Sequence, residues 1–160
     1  MALGCFVSRA EQARRLWARL ALAPGRRCYR LQDQAMLLGL IEKLHNRGSW
    51  CGETHIQKCS YFLQDGLGVP LDLEFFLYKH GPFSFELREL LSEMRANAPI
   101  GIETRPPYGG KIAMTDQGCR LLAAFSSTVA AFEAQIEFVA DRLAPKGVGV
   151  VQLERLGTAL

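Results

Sequence analysis

No two of the five cysteines stand in a Cys-x-x-Cys pair; Cys5, Cys28, Cys51, Cys59 and Cys119 are odd in number and irregularly spaced. That pattern speaks against a disulfide framework and against the common zinc ribbons, and reads as reduced thiols in a cytoplasmic protein. No apolar run approaches the ~20 residues of a membrane-spanning helix, and arginines interrupt the N-terminus too often for a secretory leader. The chain also lacks internal repeats, low-complexity tracts and a serine or cysteine nucleophile motif. Gly109-Gly110-Lys111 has neither the upstream glycine nor the downstream Ser/Thr of a phosphate-binding loop, and reads as a turn. Composition leaves one ordinary globular domain: 160 residues, 49% hydrophobic and 22% charged.

Charge is spread unevenly. Residues 1–30 carry seven arginines against Glu11 alone, a net of +6, whereas residues 31–160 carry 12 basic and 15 acidic side chains, a net of −3. The division suggests a basic N-terminal arm on a slightly acidic body. An arginine-rich, acid-poor start is also compatible with a mitochondrial presequence. Against that, Ser8-Arg9-Ala10-Glu11 fits a capping box, and Ala13, Leu16, Trp17 and Leu20 recur at helical spacing up to Pro24-Gly25.

The body alternates between two periods. A helix is expected from Gln34 to Arg47, capped by Asp33, with Leu37, Leu40, Ile41 and Leu44 on one face and Gly48 at its end. Another is expected over Glu53–Gln64, with Ile56, Cys59, Phe62 and Leu63 inward. From Leu71 the period becomes two: Leu71, Leu73, Phe75 and Leu77 on one side of a strand, Asp72, Glu74, Phe76 and Tyr78 on the other. His80-Gly81-Pro82 then turns the chain, and Ser84 caps a helix whose buried face is Leu87, Leu90, Leu91 and Met94. Ile100, Ile102 and Thr104 against Ile112 and Met114 predict a hairpin, with Pro106, Pro107, Gly109 and Gly110 in its turn. Thr115 caps a long helix, Asp116 to about Leu143, with a seven-residue period through Leu122, Val129, Ile136 and Leu143. That line is compatible with a homodimer seam through residues 122–143 or with packing on the chain's own domain. Helices followed by a two-stranded wing predict an α+β, winged-helix-like domain over residues 31–160, with an extra N-terminal helix in residues 1–30 and a long C-terminal helix.

One group of motifs carries a resemblance. The Ile56-Gln57-Lys58 helix in "GETHIQKCSYFLQ", the corner "LYKHGPFSFELRELL", and Tyr108-Gly109-Gly110 followed by Thr115-Asp116-Gln117-Gly118 resemble the YwgA-like family of bacterial proteins. That family is similar in turn to Panacea-type antitoxin and phage-associated domains. The resemblance spans about Leu37 to Leu160 and leaves residues 1–30 outside. It implies a setting near phage or toxin–antitoxin functions, supplies no catalytic residues, and suggests that "LERLGTAL" begins a helical tail that continues in relatives.

Candidate sites follow from residue type. His80, near Tyr78, Lys79 and Ser84, has no acid placed in sequence to orient it as a general base, so a structural role at the turn is expected. Cys51, His55 and Cys59 have i, i+4, i+8 spacing, but Gly52 sets Cys51 before the helix and no fourth ligand follows; no metal or cofactor is expected. The expected function is binding to an unidentified protein, as an antitoxin-like module or an accessory subunit of a phage-defence or mobile-element system. Its contacts would be Phe76, Tyr78, His80, Phe83 and Phe85 at the corner, and Arg14, Arg15, Trp17 and Arg19 in the arm, with Gly81, Pro82 and Ser84 shaping the corner. The alternative is a DNA-binding regulator that uses the arginine-rich arm. Phe85–Asn97 would then be the recognition helix, yet its Glu86, Glu89 and Glu93 outnumber Arg88 and Arg95 and would repel phosphates.

Overall fold

The computed structural model describes residues 26–78, 81–104 and 109–143, with side chains described from residue 30 to residue 142. The helix expected around residues 8–20 and the C-terminal stretch "LERLGTAL" lie outside these residues.

The domain is built around its first described helix, α1 (Arg26–Asn46). Ala35, Met36, Leu37, Leu38, Leu40, Ile41 and Leu44 are all buried, so α1 is covered on most sides and not along one stripe. It ends where Gly48 N–H bonds the His45 carbonyl (2.8 Å) and Ser49 N–H bonds that of Leu44 (3.0 Å), the paired bonds of a Schellman motif. The helix starts well before Gln34, which corrects one expectation: Asp33 lies inside α1 and caps nothing. Residues 30 and 31, where charge divides arm from body, both lie in this helix. The apolar run after Asp33 marks where burial begins; the helix itself extends back to Arg26, and Leu31 in this earlier part is exposed.

α2 (Glu53–Tyr61) continues into a single π turn, Phe62–Gly66, which keeps Phe62 and Leu63 in the core. The expected strand from Leu71 is mostly extended chain without a strand partner. Leu71 is buried, and Leu73 and Phe75 pack on the core, so the two-residue period is real. A ladder forms only at β1 (Phe76–Tyr78), antiparallel to β2 (Gly81–Phe83), and Leu77 points to solvent, 78% exposed, not inward. Beyond Phe75 the chain leaves the core and doubles back, so the alternation no longer reports burial. α3 (Phe85–Ala96) buries Leu87, Leu90, Leu91 and Met94.

β3 (Ile100–Glu103) and β4 (Lys111–Met114) form the expected hairpin, with Ile102 opposite Ile112. The Pro106-Pro107 part of its turn lies outside the described residues. On its other side β4 is held by α1 and the segment that follows it. Ile112 N–H bonds the Cys51 carbonyl (3.0 Å), His45 Nε2 lies 2.7 Å from the Ile112 carbonyl oxygen, and Trp50 Nε1–H donates to the Gly109 carbonyl (3.1 Å).

The long C-terminal helix is three shorter ones: α4 (Asp116–Ala124), α5 (Ser126–Ala130) and α6 (Glu133–Leu143). The breaks at Phe125 and Ala131–Phe132 let the three pieces wrap α1, which one straight rod would leave partly bare. The seven-residue line is turned onto this packing: a Cβ on Gly39 would meet Val129, Ile136 and Leu122 within 4 Å. Outside the apolar contact, Lys43 bonds Glu133 and Glu137 (2.9 Å each) and Arg47 pairs with Asp141, tying α6 to the polar side of α1. No helix among the described residues is long and apolar enough to cross a membrane.

The Thr-Asp-x-Gly motif acts at this joint. Thr115 Oγ1 accepts the Gly118 N–H (3.2 Å) and donates to the Ala98 carbonyl, while Thr115 N–H bonds the Pro99 carbonyl (3.1 Å). A Cβ at position 118 would stand 2.2 Å from the Pro99 oxygen, a backbone atom with little room to yield. Gly118→Ala is therefore expected to lose roughly 3 kcal/mol in urea denaturation, more than Gly66→Ala, whose Cβ meets only Phe62 at 4.0 Å.

Half-buried Asp33 supplies a pH test. Burial and the neighbouring Asp72 carboxylate together push its pKa up to about 7, against partial compensation from Arg30. In the unfolded chain this acid ionises near the ordinary value of 3.8. Its contribution is complete below about pH 4 and is lost as pH rises toward and through 7, where only the folded state still holds the proton. Asp33→Asn should abolish that decline and raise stability at pH 8 by on the order of 2 kcal/mol, read from urea midpoints across pH 4–8.

Candidate functional site: an aromatic corner held by two glutamines and a lysine

The β1–β2 hairpin carries few ladder bonds, and side chains from α2 and the π turn supply what holds it. Gln57, 1% exposed, uses its amide as a strand would: Nε2–H donates to the Ser84 carbonyl and Oε1 accepts the Ser84 N–H, both at 2.9 Å. Gln64 repeats the device one segment earlier, bonding Leu73 through its carbonyl (2.7 Å) and its N–H (2.9 Å). Buried Lys58 donates Nζ–H to the Pro82 carbonyl at 2.8 Å. The Ile56-Gln57-Lys58 helix and the Gly-Pro-Phe-Ser corner therefore belong to one hydrogen-bonded unit, with Ile56 anchored in the core.

The corner itself follows from backbone chemistry. Gly81 has φ +92°, a value side chains rarely tolerate, immediately before Pro82. Ser84 is fully buried and its Oγ accepts the Leu87 N–H (3.2 Å), capping α3. The chain thus makes a two-stranded hairpin before the helix, where the sequence pattern suggested a direct strand-to-helix turn.

On this frame the aromatic side chains collect at the surface. Phe83 and Phe85 meet edge to face with centroids 5.1 Å apart; Tyr78 lies 5.9 Å from Phe83 and 6.4 Å from Phe85, and Phe76 lies 6.3 Å from Phe85. These are favourable aromatic pair geometries, yet Phe76, Tyr78 and Phe85 remain about half exposed beside Leu77. Four of the five corner residues singled out from sequence thus form one patch. His80 and the arm residues Arg14, Arg15, Trp17 and Arg19 lie outside the described residues. Sequence reasoning missed Gln57, Lys58 and Gln64 as the groups holding the patch; apart from the resemblance, a polar run on the inward side of a helix was the only available signal.

Other constellations are less equipped for chemistry. Burial pushes the Cys51 and Cys59 thiols up to about 12 and lowers the pKa of His55, so this trio is held neutral. Among the described residues, no three His, Cys, Asp or Glu side chains are grouped to hold a metal ion. A cavity of about 340 Å³ opens between α1 and the C-terminal helices over Gly39, Leu122, Val129 and Ile136; the Lys43 ammonium on its lining is already engaged by Glu133 and Glu137. No family model matches this chain, and no curated protein matches it.

Removing the Gln57 amide leaves the buried Ser84 N–H without a partner and leaves its carbonyl only the Arg88 N–H at 3.3 Å. Gln57→Ala is expected to cost about 2–3 kcal/mol. Gln64→Ala, whose bonds are only partly buried, should cost about 1 kcal/mol. Chemical denaturation of the two variants checks the order; equal losses would show that Gln57 is not the principal clamp.

Proposed function

We propose that this domain is a non-catalytic protein-binding module of winged-helix type, with the aromatic corner as its docking surface. The observation that carries the reading is the half-exposed cluster of Phe76, Tyr78 and Phe85 beside Leu77, built on a frame fixed by buried hydrogen bonds. Large aromatics kept at the surface on a rigid base bind at low entropic cost, and such residues most often dominate interface energy. The resemblance to antitoxin-related domains supports a protein partner of that kind, with the domain acting as an antitoxin-like module or as an accessory subunit of a phage-defence or mobile-element system.

The winged-helix assignment is supported by element order. α1, the segment at Cys51 that bonds β4, α2, α3 and the β3–β4 wing succeed one another as that plan requires, with β1–β2 inserted before α3. In DNA-binding relatives of the plan, the third helix reads the duplex. Here that helix exposes Glu86 and Glu89; its Arg88 lies 3.8 Å from Glu53, and its Glu93 pairs with Arg30 at 3.0 Å. A face with this balance lacks the phosphate-neutralising charge on which duplex affinity rests, which favours a protein partner over DNA.

The test places a photo-crosslinking p-benzoylphenylalanine at Phe76, at Phe85 or, as a control, at exposed Arg120 of α4, in the full chain expressed in its native host. A discrete protein adduct from positions 76 and 85, none from 120, and its loss in Tyr78→Ala are expected. Adducts from position 120 alone, or sequence-selective duplex binding by the full chain that survives Arg14, Arg15 and Arg19→Glu, would overturn the reading.

A further inference from the structure

The two edges of the β1–β2 hairpin are not equivalent. Pro82 has no N–H, and its carbonyl is taken by Lys58, so the Leu77–Pro82 pair is the non-hydrogen-bonded pair of the ladder. The outer edge of β2 is closed by that proline, by Lys58 and by Gln57 on Ser84. It follows that the Leu77 N–H and carbonyl point away from β2, along the outer edge of β1. Further up the same edge, Leu73 is occupied by Gln64. The free stretch is therefore short, and Leu77 is the most exposed large apolar residue described.

Charge narrows what fits there. Glu74 is on the same side of the extended chain as Phe76 and Tyr78, and its N–H bonds Glu86 Oε2 at 2.9 Å. Glu86 adjoins Phe85, and Glu89 stands one helical turn beyond it. All three are exposed, and among the described residues none of them is in an ion pair, whereas Arg88 is beside Glu53. The ring cluster thus carries an acidic rim. Aromatic faces bordered by carboxylates favour guanidinium and ammonium groups, which the ring quadrupole and the rim attract together.

We propose that β1 is a strand-addition edge for an extended, basic segment of a partner protein, whose backbone bonds Leu77 while its arginine or lysine heads lie over the Tyr78 and Phe85 rings and against Glu74, Glu86 and Glu89. Main-chain bonds supply the register, and alternate side chains reach the patch. The inference rests on the corner being a docking surface and adds the conformation and charge of what docks.

Four labelled probes test it by fluorescence anisotropy on the full chain: a heptapeptide alternating valine and arginine, its valine–glutamate counterpart, the arginine peptide N-methylated on the valines alone, and the arginine peptide N-methylated on the arginines alone. Saturable binding of the arginine peptide is expected, with loss of about tenfold or more for the glutamate peptide. One of the two N-methylated forms should lose binding while the other keeps it, because only alternate N–H groups face the edge. Glu86→Gln with Glu89→Gln should weaken the arginine peptide, and Leu77→Pro, which removes the edge donor, should abolish its binding. If Leu77→Pro does not fold, as read by its thermal transition, the N-methylated pair on the wild type decides. Equal binding of the arginine and glutamate peptides, indifference to both methylations, or no binding of any probe overturns the proposal. Should protein crosslinks still form at position 85 in the host, the docking surface stands and only the strand-addition model fails; absence of those crosslinks removes the docking reading itself.

Discussion

A helix that buries Ala35 through Leu38 as well as Leu40, Ile41 and Leu44 has to be covered all round, and five of the other described elements answer to that demand. α2 and the hairpin strand β4 cover part of α1, and α4, α5 and α6 cover the rest. Apolar burial at ~25 cal/mol per Å² makes an uncovered flank of such a helix costly. That cost explains why the C-terminal third bends twice: Gly39 admits Val129 and Ile136 close to the α1 axis, and three short helices follow its surface where one rod would diverge.

Away from this axis, polar side chains do what a sheet would do in a larger domain. Gln57 and Gln64 each offer one donor and one acceptor to a single residue of passing chain, which is the exchange that a neighbouring strand makes. Each carboxamide is held by helical or π-turn backbone, so a segment with only three ladder pairs is fixed without further strands. The Lys58 bond to Pro82 adds a charge-assisted contact in a buried setting, where such bonds are stronger than at the surface.

Much of this was legible in the sequence. Ser84 and Thr115 are caps, the buried face of α3 is Leu87, Leu90, Leu91 and Met94, and the β3–β4 register follows the alternation of its isoleucines. The rest was hidden for identifiable reasons. Asp33 looks like a cap because it precedes an apolar run, but the helix was already under way and the residue contributes a strained protonation equilibrium instead. The period through Leu122, Val129 and Ile136 is compatible with one helix, and only the shape of α1 decides where it breaks. Leu77 obeys the alternation of Leu71–Phe75 yet lies outside, because periodicity records which side a residue is on and not whether anything is there to cover it. Of the candidate site, the aromatics were readable by type; the glutamines that aim them were not, since a buried glutamine carries no pattern of its own.

A two-stranded ribbon with one proline-blocked edge is also a polymerisation terminator. Sheets grow when each added strand presents a fresh edge to the next, and β2 cannot do so, because its outward carbonyl is bonded to Lys58 and Pro82 has no N–H to offer. Two copies that meet through β1 would each expose only the closed side, and association would stop at the pair. The same geometry limits any strand received at β1 to one per domain. An exposed apolar hairpin, ordinarily a seed for fibrous aggregation, is by this arrangement monovalent.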